Sequence, residues 1–183
     1  SLYWLGLGRC SLDSLPSTFG NLSNLYQFYV DINELASLPD NFGSLSNLAY
    51  LGINNNQITE LPESFGNLQS LIELNASENN ISTLPESFGN ISTLEELFMD
   101  QNGLESLCDN FGDLESLIFI RLSINNISEL PASFSNLSSI EKVMLDQKEL
   151  SSLPEDIGNL STLWNFGLSS NNLTSLPETI SNI

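Results

Sequence analysis

The dipeptide Leu-Pro returns along this chain at a fixed interval, and no other feature constrains the fold as tightly. It begins at Leu15, Leu38, Leu61, Leu84, Leu130, Leu153 and Leu176, and Leu107 holds the one vacant place in the series, followed by Cys108 instead of Pro. The step is 23 residues every time, with no insertion. A period of this kind marks a stack of similar units, because a unit so short cannot bury its own apolar face and must lean on its neighbours.

Inside each period runs the pattern L-x-x-L-x-L-x-x-N-x-L. It is read at Leu48, Leu51, Ile53, Asn56 and Ile58, at Leu71, Leu74, Ala76, Asn79 and Ile81, and at Leu117, Ile120, Leu122, Asn125 and Ile127. The central L-x-L alternates with period two, as a half-buried strand does. Three residues beyond the Pro position stands an apolar side chain: Phe19, Phe42, Phe65, Phe88, Phe111, Phe134, Ile157 or Ile180. A turn resembling Gly-Asn-Leu-Ser then closes most periods.

This pattern resembles the leucine-rich repeat family, in the 23-residue form with Leu-Pro on the outer side, and the resemblance covers the whole chain. It implies fold class α/β: a right-handed solenoid shaped as a horseshoe arc, with a concave parallel β-sheet of about eight short strands. Turns and short 3-10 segments would form the convex side. The Gly-x-Ile-Pro segment of plant receptor repeats is missing, so that subclass is not expected. Residues 1–183 read as one domain of eight repeats.

The Asn after each strand (Asn33, Asn56, Asn79, Asn102, Asn125 and Asn171) is expected to be structural. A buried amide with two donors and two acceptors can satisfy turn backbone groups that the strands leave unpaired. Cys10 and Lys148 occupy the same position in two other repeats. A small Cys tolerates burial there. A Lys does not, so Lys148 should reach outward or find Asp146 or Glu149, with local distortion around repeat seven.

Cys10 and Cys108 lie four strand spacings apart, ~19 Å, against the ~7 Å that a disulfide allows between Cα atoms. They are not expected to pair, so the cysteines are silent about the redox compartment. Both ends lack terminal caps: Leu5, Leu7 and Leu15 at one end and Leu168, Leu176 and Ile180 at the other would face solvent. A fragment of a longer protein is the expected explanation, with head-to-tail self-association through the uncapped ends as the second.

Charge and missing residue types exclude several functions. Acidic residues number 23 against four basic ones, with no His. Such a surface repels phosphate backbones and anionic lipids, so neither nucleic acid nor direct membrane insertion is expected. No apolar run approaches the ~20 residues that span a bilayer. Ser1–Arg9 has no basic start followed by an apolar stretch, so it does not read as a signal peptide. Without His, triad catalysis and His-based metal sites fall away, and neighbouring carboxylates such as Glu95 and Glu96 should point to opposite faces of a strand. No enzyme activity, metal or cofactor is expected. Eight Asn-x-Ser/Thr sequences, including Asn21, Asn90 and Asn172, are read as repeat consensus ahead of glycosylation.

The side chains between the inward leucines are the informative ones, because the pleat turns them out of the concave face. One column reads Trp4, Gln27, Tyr50, Glu73, Glu96, Phe119, Lys142, Asn165, and the next reads Gly6, Tyr29, Gly52, Asn75, Phe98, Arg121, Met144, Gly167. Exposed aromatic and Arg side chains have no core to fill here and are typical binding anchors. Trp4, Tyr29 and Tyr50 form one patch; Phe98, Phe119, Arg121, Lys142 and Met144 form a second, with Glu73, Glu78 and Glu96 between them. In a purely structural alternative, Arg121 pairs with Glu96 and stacks on Phe98. A third column contains Asp31, Asp100 and Asp146 among small polar residues and offers a cation or ordered water only scattered ligands.

Family resemblance implies a non-catalytic recognition module that binds a protein or peptide ligand on its concave face. Its alternatives are a structural or adhesive spacer of a microbial surface protein, and a carbohydrate- or ice-surface binder. The scarcity of Lys beside abundant Asn, Ser and Asp points to a secreted or cell-surface location, with the cytoplasm as the alternative.

Overall fold

The computed structural model describes every residue except Lys148, on which the expected distortion of repeat seven was centred; that expectation lies outside the described residues. Eight strands of three residues form a single sheet: β1 (Trp4–Gly6), β2 (Gln27–Tyr29), β3 (Tyr50–Gly52), β4 (Glu73–Asn75), β5 (Glu96–Phe98), β6 (Phe119–Arg121), β7 (Lys142–Met144) and β8 (Asn165–Gly167). They pair in parallel and in chain order. Each register step is one repeat, from Trp4 opposite Gln27 to Lys142 opposite Asn165. Short 3-10 segments occupy the other side, from Phe19–Asn21 in the first repeat to Glu178–Asn182 in the last. Among the described residues no helix is long and apolar enough to cross a membrane.

The central strand residue points inward. Phe28, Leu51, Leu74, Leu97, Ile120 and Val143 are buried, and apolar residues before and after each strand, such as Leu48 and Ile53, join them. Burying one such side chain fully is worth roughly 1.5–3 kcal/mol, and neighbouring repeats supply the cover.

Behind the sheet stands a column of stacked rings. Phe19, Phe42, Phe65, Phe88, Phe111 and Phe134 lie face to face with centroids 6.0 to 6.4 Å apart and planes within 2 to 6° of parallel. That repeat-to-repeat step exceeds the ~4.8 Å between hydrogen-bonded strands. Each repeat is therefore a wedge, and the sheet lies on the inner curve of the stack.

The outer turns pack even more closely at one point. A methyl group on Gly43 would come within 1.7 Å of the Ser64 carbonyl oxygen, and one on Gly112 within 1.8 Å of that of Ser133. Repeat six carries Ser135 at the equivalent place, buried and with its hydroxyl unpaired.

Asn amides bridge one repeat to the last. Asn56 Oδ1 accepts from Leu35 N–H at 3.0 Å, while its Nδ2 donates to the carbonyls of Val30 and Ile53, each at 3.0 Å. Asn33, Asn79 and Asn102 repeat all three bonds, and Asn171 makes the same set with its N–H bond at 3.3 Å. Asn125 accepts from Leu104 and donates to Met99 and Leu122. The amide thus satisfies one turn donor and two acceptors that strands this short cannot reach. Cys10 differs from the expectation of burial at this position: it is exposed, β1 being an edge strand among the described residues, and Asn33 Oδ1 takes its N–H. Cys108 is buried, and both thiols are free.

The residue before each of these Asn positions takes a left-handed conformation, with φ between 54° and 60° at Arg9, Ile32, Asn55, Glu78, Gln101, Ile124, Gln147 and Ser170. Glycine occupies none of these positions, although it would adopt that backbone without cost. At Ile32 and Ile124 a β-branched side chain is held in a region it normally avoids, and both are largely exposed.

Of the leucines expected to face solvent at the ends, only Leu176 does so fully; Leu5, Leu7, Leu15, Leu168 and Ile180 are half-buried against the core cluster. Each still has one neighbouring repeat to lean on.

Candidate recognition surface

The two outward columns stand on the solvent side of the sheet, because each flanks the inward residue of its strand. Trp4 is 55% exposed, and Tyr29, Tyr50, Glu73, Phe98, Phe119, Lys142 and Met144 are half-buried by one another, with Glu96 and Arg121 exposed. The register places Phe98 opposite Arg121 and Phe119 opposite Lys142.

The second patch is a contiguous cluster. Phe98 and Phe119 meet edge to face, centroids 5.4 Å apart at 85°. Lys142 Nζ lies 4.6 Å from the Phe119 ring centre, and the Arg121 guanidinium carbon lies 5.9 Å from that of Phe98. Met144 leans across the neighbouring strand, its sulfur 3.2 Å from where a methyl group on Gly167 would stand.

Arg121 does not pair with Glu96, as the structural alternative expected. It pairs with Asp100 at 2.9 Å. Asp100 is buried and already anchored, its other oxygen accepting from Ser123 N–H at 2.8 Å. Asp146 accepts from Ser169 N–H at 2.7 Å in the same way. Asp100 and Asp146 therefore tie repeats together, their carboxylates committed to backbone donors.

The first patch is built differently. The Trp4 ring folds down over Gly6, where a methyl group would come within 2.4 Å of it, and the Tyr29 ring lies over Gly52 in the same manner. Burial, the Glu73 carboxylate and Tyr50 together raise the Tyr29 pKa. Tyr50 is raised chiefly by Tyr26, then by partial desolvation, a hydrogen bond to Tyr26, and the charges of Glu73 and Glu95. Glu73 is raised by burial first and by Glu96, its register partner, second.

A further column, exposed at five of its eight positions and buried at Ala49, lies beyond the surface that strand alternation marks. It is the residue just before each strand: Tyr3, Tyr26, Ala49, Ile72, Glu95, Ile118, Glu141 and Trp164. Tyr3 and Tyr26 stack at 4.9 Å with planes 12° apart, and Tyr26 meets Tyr50 at 5.6 Å. Trp164 is 70% exposed, its indole N–H donating to Glu141 at 3.3 Å. Strict alternation would turn this column inward. The strands begin one residue later, so the pleat does not bind it, and Glu95 and Glu96 both reach water instead of opposite faces. Two carboxylates in the column were the available signal.

Cys108 lies apart from this surface, and burial pushes its thiol up to about 11, with the Glu86 charge adding to the effect.

A strand and a 3-10 turn in every 23-residue step, with an Asn bridge in six of them, define a leucine-rich repeat stack. The family model described as a leucine-rich repeat region matches residues 40–143, more than half of the chain, and the chain belongs to the leucine-rich repeat family. Similar solved structures include a leucine-rich repeat protein of Leptospira interrogans, 28% identical with a TM-score of 0.82, covering 100% of this chain and 52% of that one. An internalin of Listeria monocytogenes is 26% identical over 92% of this chain and 48% of its own, with a TM-score of 0.77. A plant peptide hormone receptor, RGFR1 in complex with RGF2, is 26% identical with a TM-score of 0.81, covering 100% of this chain and 34% of that one. The chain thus spans about half the length of the first two and a third of the receptor. No curated protein sequence matches it significantly.

Proposed function

We propose that this chain is a non-catalytic recognition module that binds a protein or peptide on the concave face of its sheet. The observation that carries the reading is the second patch: the Phe98–Phe119 pair, with Lys142 over one ring and Arg121 over the other, stands on a wall braced on both sides and is half open to water. Aromatic and Arg side chains prearranged in this way supply contact area at low entropic cost. The plant receptor in complex with RGF2 supports the same reading.

Selection of short random peptides on the immobilised chain tests it. Binders retained by the native chain and lost by a Phe98→Ser/Phe119→Ser variant of unchanged circular dichroism are the expected result. Binders held equally by both would move the site elsewhere, and an empty selection would favour a spacer role.

One observation favours a second ligand class at the other patch. Rings lying flat over Gly6 and Gly52 present broad faces of the kind that stack on sugars. Binding to a glycan array, lost on Trp4→Ala, would establish it.

A further inference from the structure

The first outward column changes sign as it crosses the sheet. Glu73, Glu96, Phe119 and Lys142 are successive register partners on β4, β5, β6 and β7. At one end two carboxylates face each other directly, an arrangement that weakens a sheet. Neither finds a cation: the one ion pair among the described residues joins Arg121 to Asp100, so the basic side chain of β6 is already engaged. At the other end Lys142 has a ring beneath it and no carboxylate partner among the described residues. Between the two ends stands the Phe98–Phe119 pair. A face that reads acid, aromatic, base has as its complement a ligand that reads base, apolar, acid.

We infer that the ligand is an extended peptide segment that crosses the strands. It places a Lys or Arg side chain over Glu73 and Glu96, an apolar side chain on the two rings, and an acidic group at Lys142. Two to three strand spacings separate the charged ends, or ~10–14 Å. An extended chain advances ~3.3 Å per residue, so the ligand's basic and acidic residues stand three or four positions apart. This specificity rests on the peptide-binding reading above and adds a charge rule to it.

The selected peptides decide it. Enriched sequences should carry Lys or Arg three or four positions from Asp or Glu with an apolar residue between. Glu73→Gln/Glu96→Gln should weaken such a peptide at least about tenfold and Lys142→Met by severalfold, while Glu60→Gln/Glu129→Gln, on the outer turns, should leave it unchanged. Enriched peptides without that spacing, or ones indifferent to the Glu73→Gln/Glu96→Gln change, overturn the charge rule. If those same peptides are still lost on Phe98→Ser/Phe119→Ser, the peptide-binding reading stands and only the rule falls. An empty selection overturns both.

Discussion

Asp100, two residues beyond β5, and Arg121 of β6 meet at 2.9 Å, and they are unequal partners: the Asp side chain is 8% exposed and the Arg 50%. The carboxylate also receives the Ser123 N–H. Removing Asp100 leaves a backbone donor without its partner, whereas removing Arg121 gives up a pair screened by water. Asp100→Ala should therefore lower the unfolding free energy by about 1.5–3 kcal/mol, and Arg121→Met by less than about 1 kcal/mol. Urea titration of both variants checks this; equal losses would mean that the ion pair, not the backbone bond, carries the stability.

Ser135 sits where six other repeats bring glycine against the next turn, and its hydroxyl is buried without a partner. Ser135→Gly should stabilise the chain by about 1 kcal/mol, the relief of an unmet hydroxyl outweighing the entropy of glycine. Gly43→Ala should cost about 1–3 kcal/mol, because the added carbon meets the Ser64 backbone and not a movable side chain. Thermal melts of the pair should move in opposite directions.

Ile124 holds φ at 58° with 47% of its surface in water. Asn tolerates that backbone far better, so Ile124→Asn should raise stability by about 1 kcal/mol. A melting temperature that falls would show that the exposed side chain contributes more packing than its surroundings indicate.

Glu73 takes up its proton more readily in the folded chain than in the unfolded one, through burial and then the Glu96 charge. Its ionisation therefore works against folding. The associated stability is present below the ordinary carboxylate pKa of ~4.3 and is lost as pH rises through the folded value. Glu73→Gln should melt higher than the native chain at pH 7, with the difference closing toward pH 3. A gap that widens on acidification would reverse the sign of this interaction.

Much of this architecture is legible in the residues. The 23-residue step places Leu51, Leu74 and Leu97 inside and Tyr50, Glu73 and Glu96 outside, and the structure puts them there. Periodicity transmits such information because every repeat solves the same packing problem. It does not say which carboxylate reaches a given guanidinium: Glu96 and Asp100 lie on the same face, and the choice follows from the Ser123 N–H that fixes Asp100 first. Nor does it mark where a pleat begins. Tyr3, Tyr26 and Trp164 fell outside the expected surface because a strand of three residues imposes alternation on three residues and no more. The left-handed backbone at Ile32 and Ile124 was hidden for a related reason, since no glycine signals the turn there.

The unbroken register has a further consequence. With every strand directly beside its successor, the inner wall works as a ruler graduated in steps of ~4.8 Å. Excising or duplicating any one 23-residue unit, cut between equivalent Asn positions, would rejoin inward leucine to inward leucine and shift every later contact by a single graduation. The length of partner that the proposed recognition wall would accommodate is thus an integer property, adjustable by whole repeats without redesigning any of them.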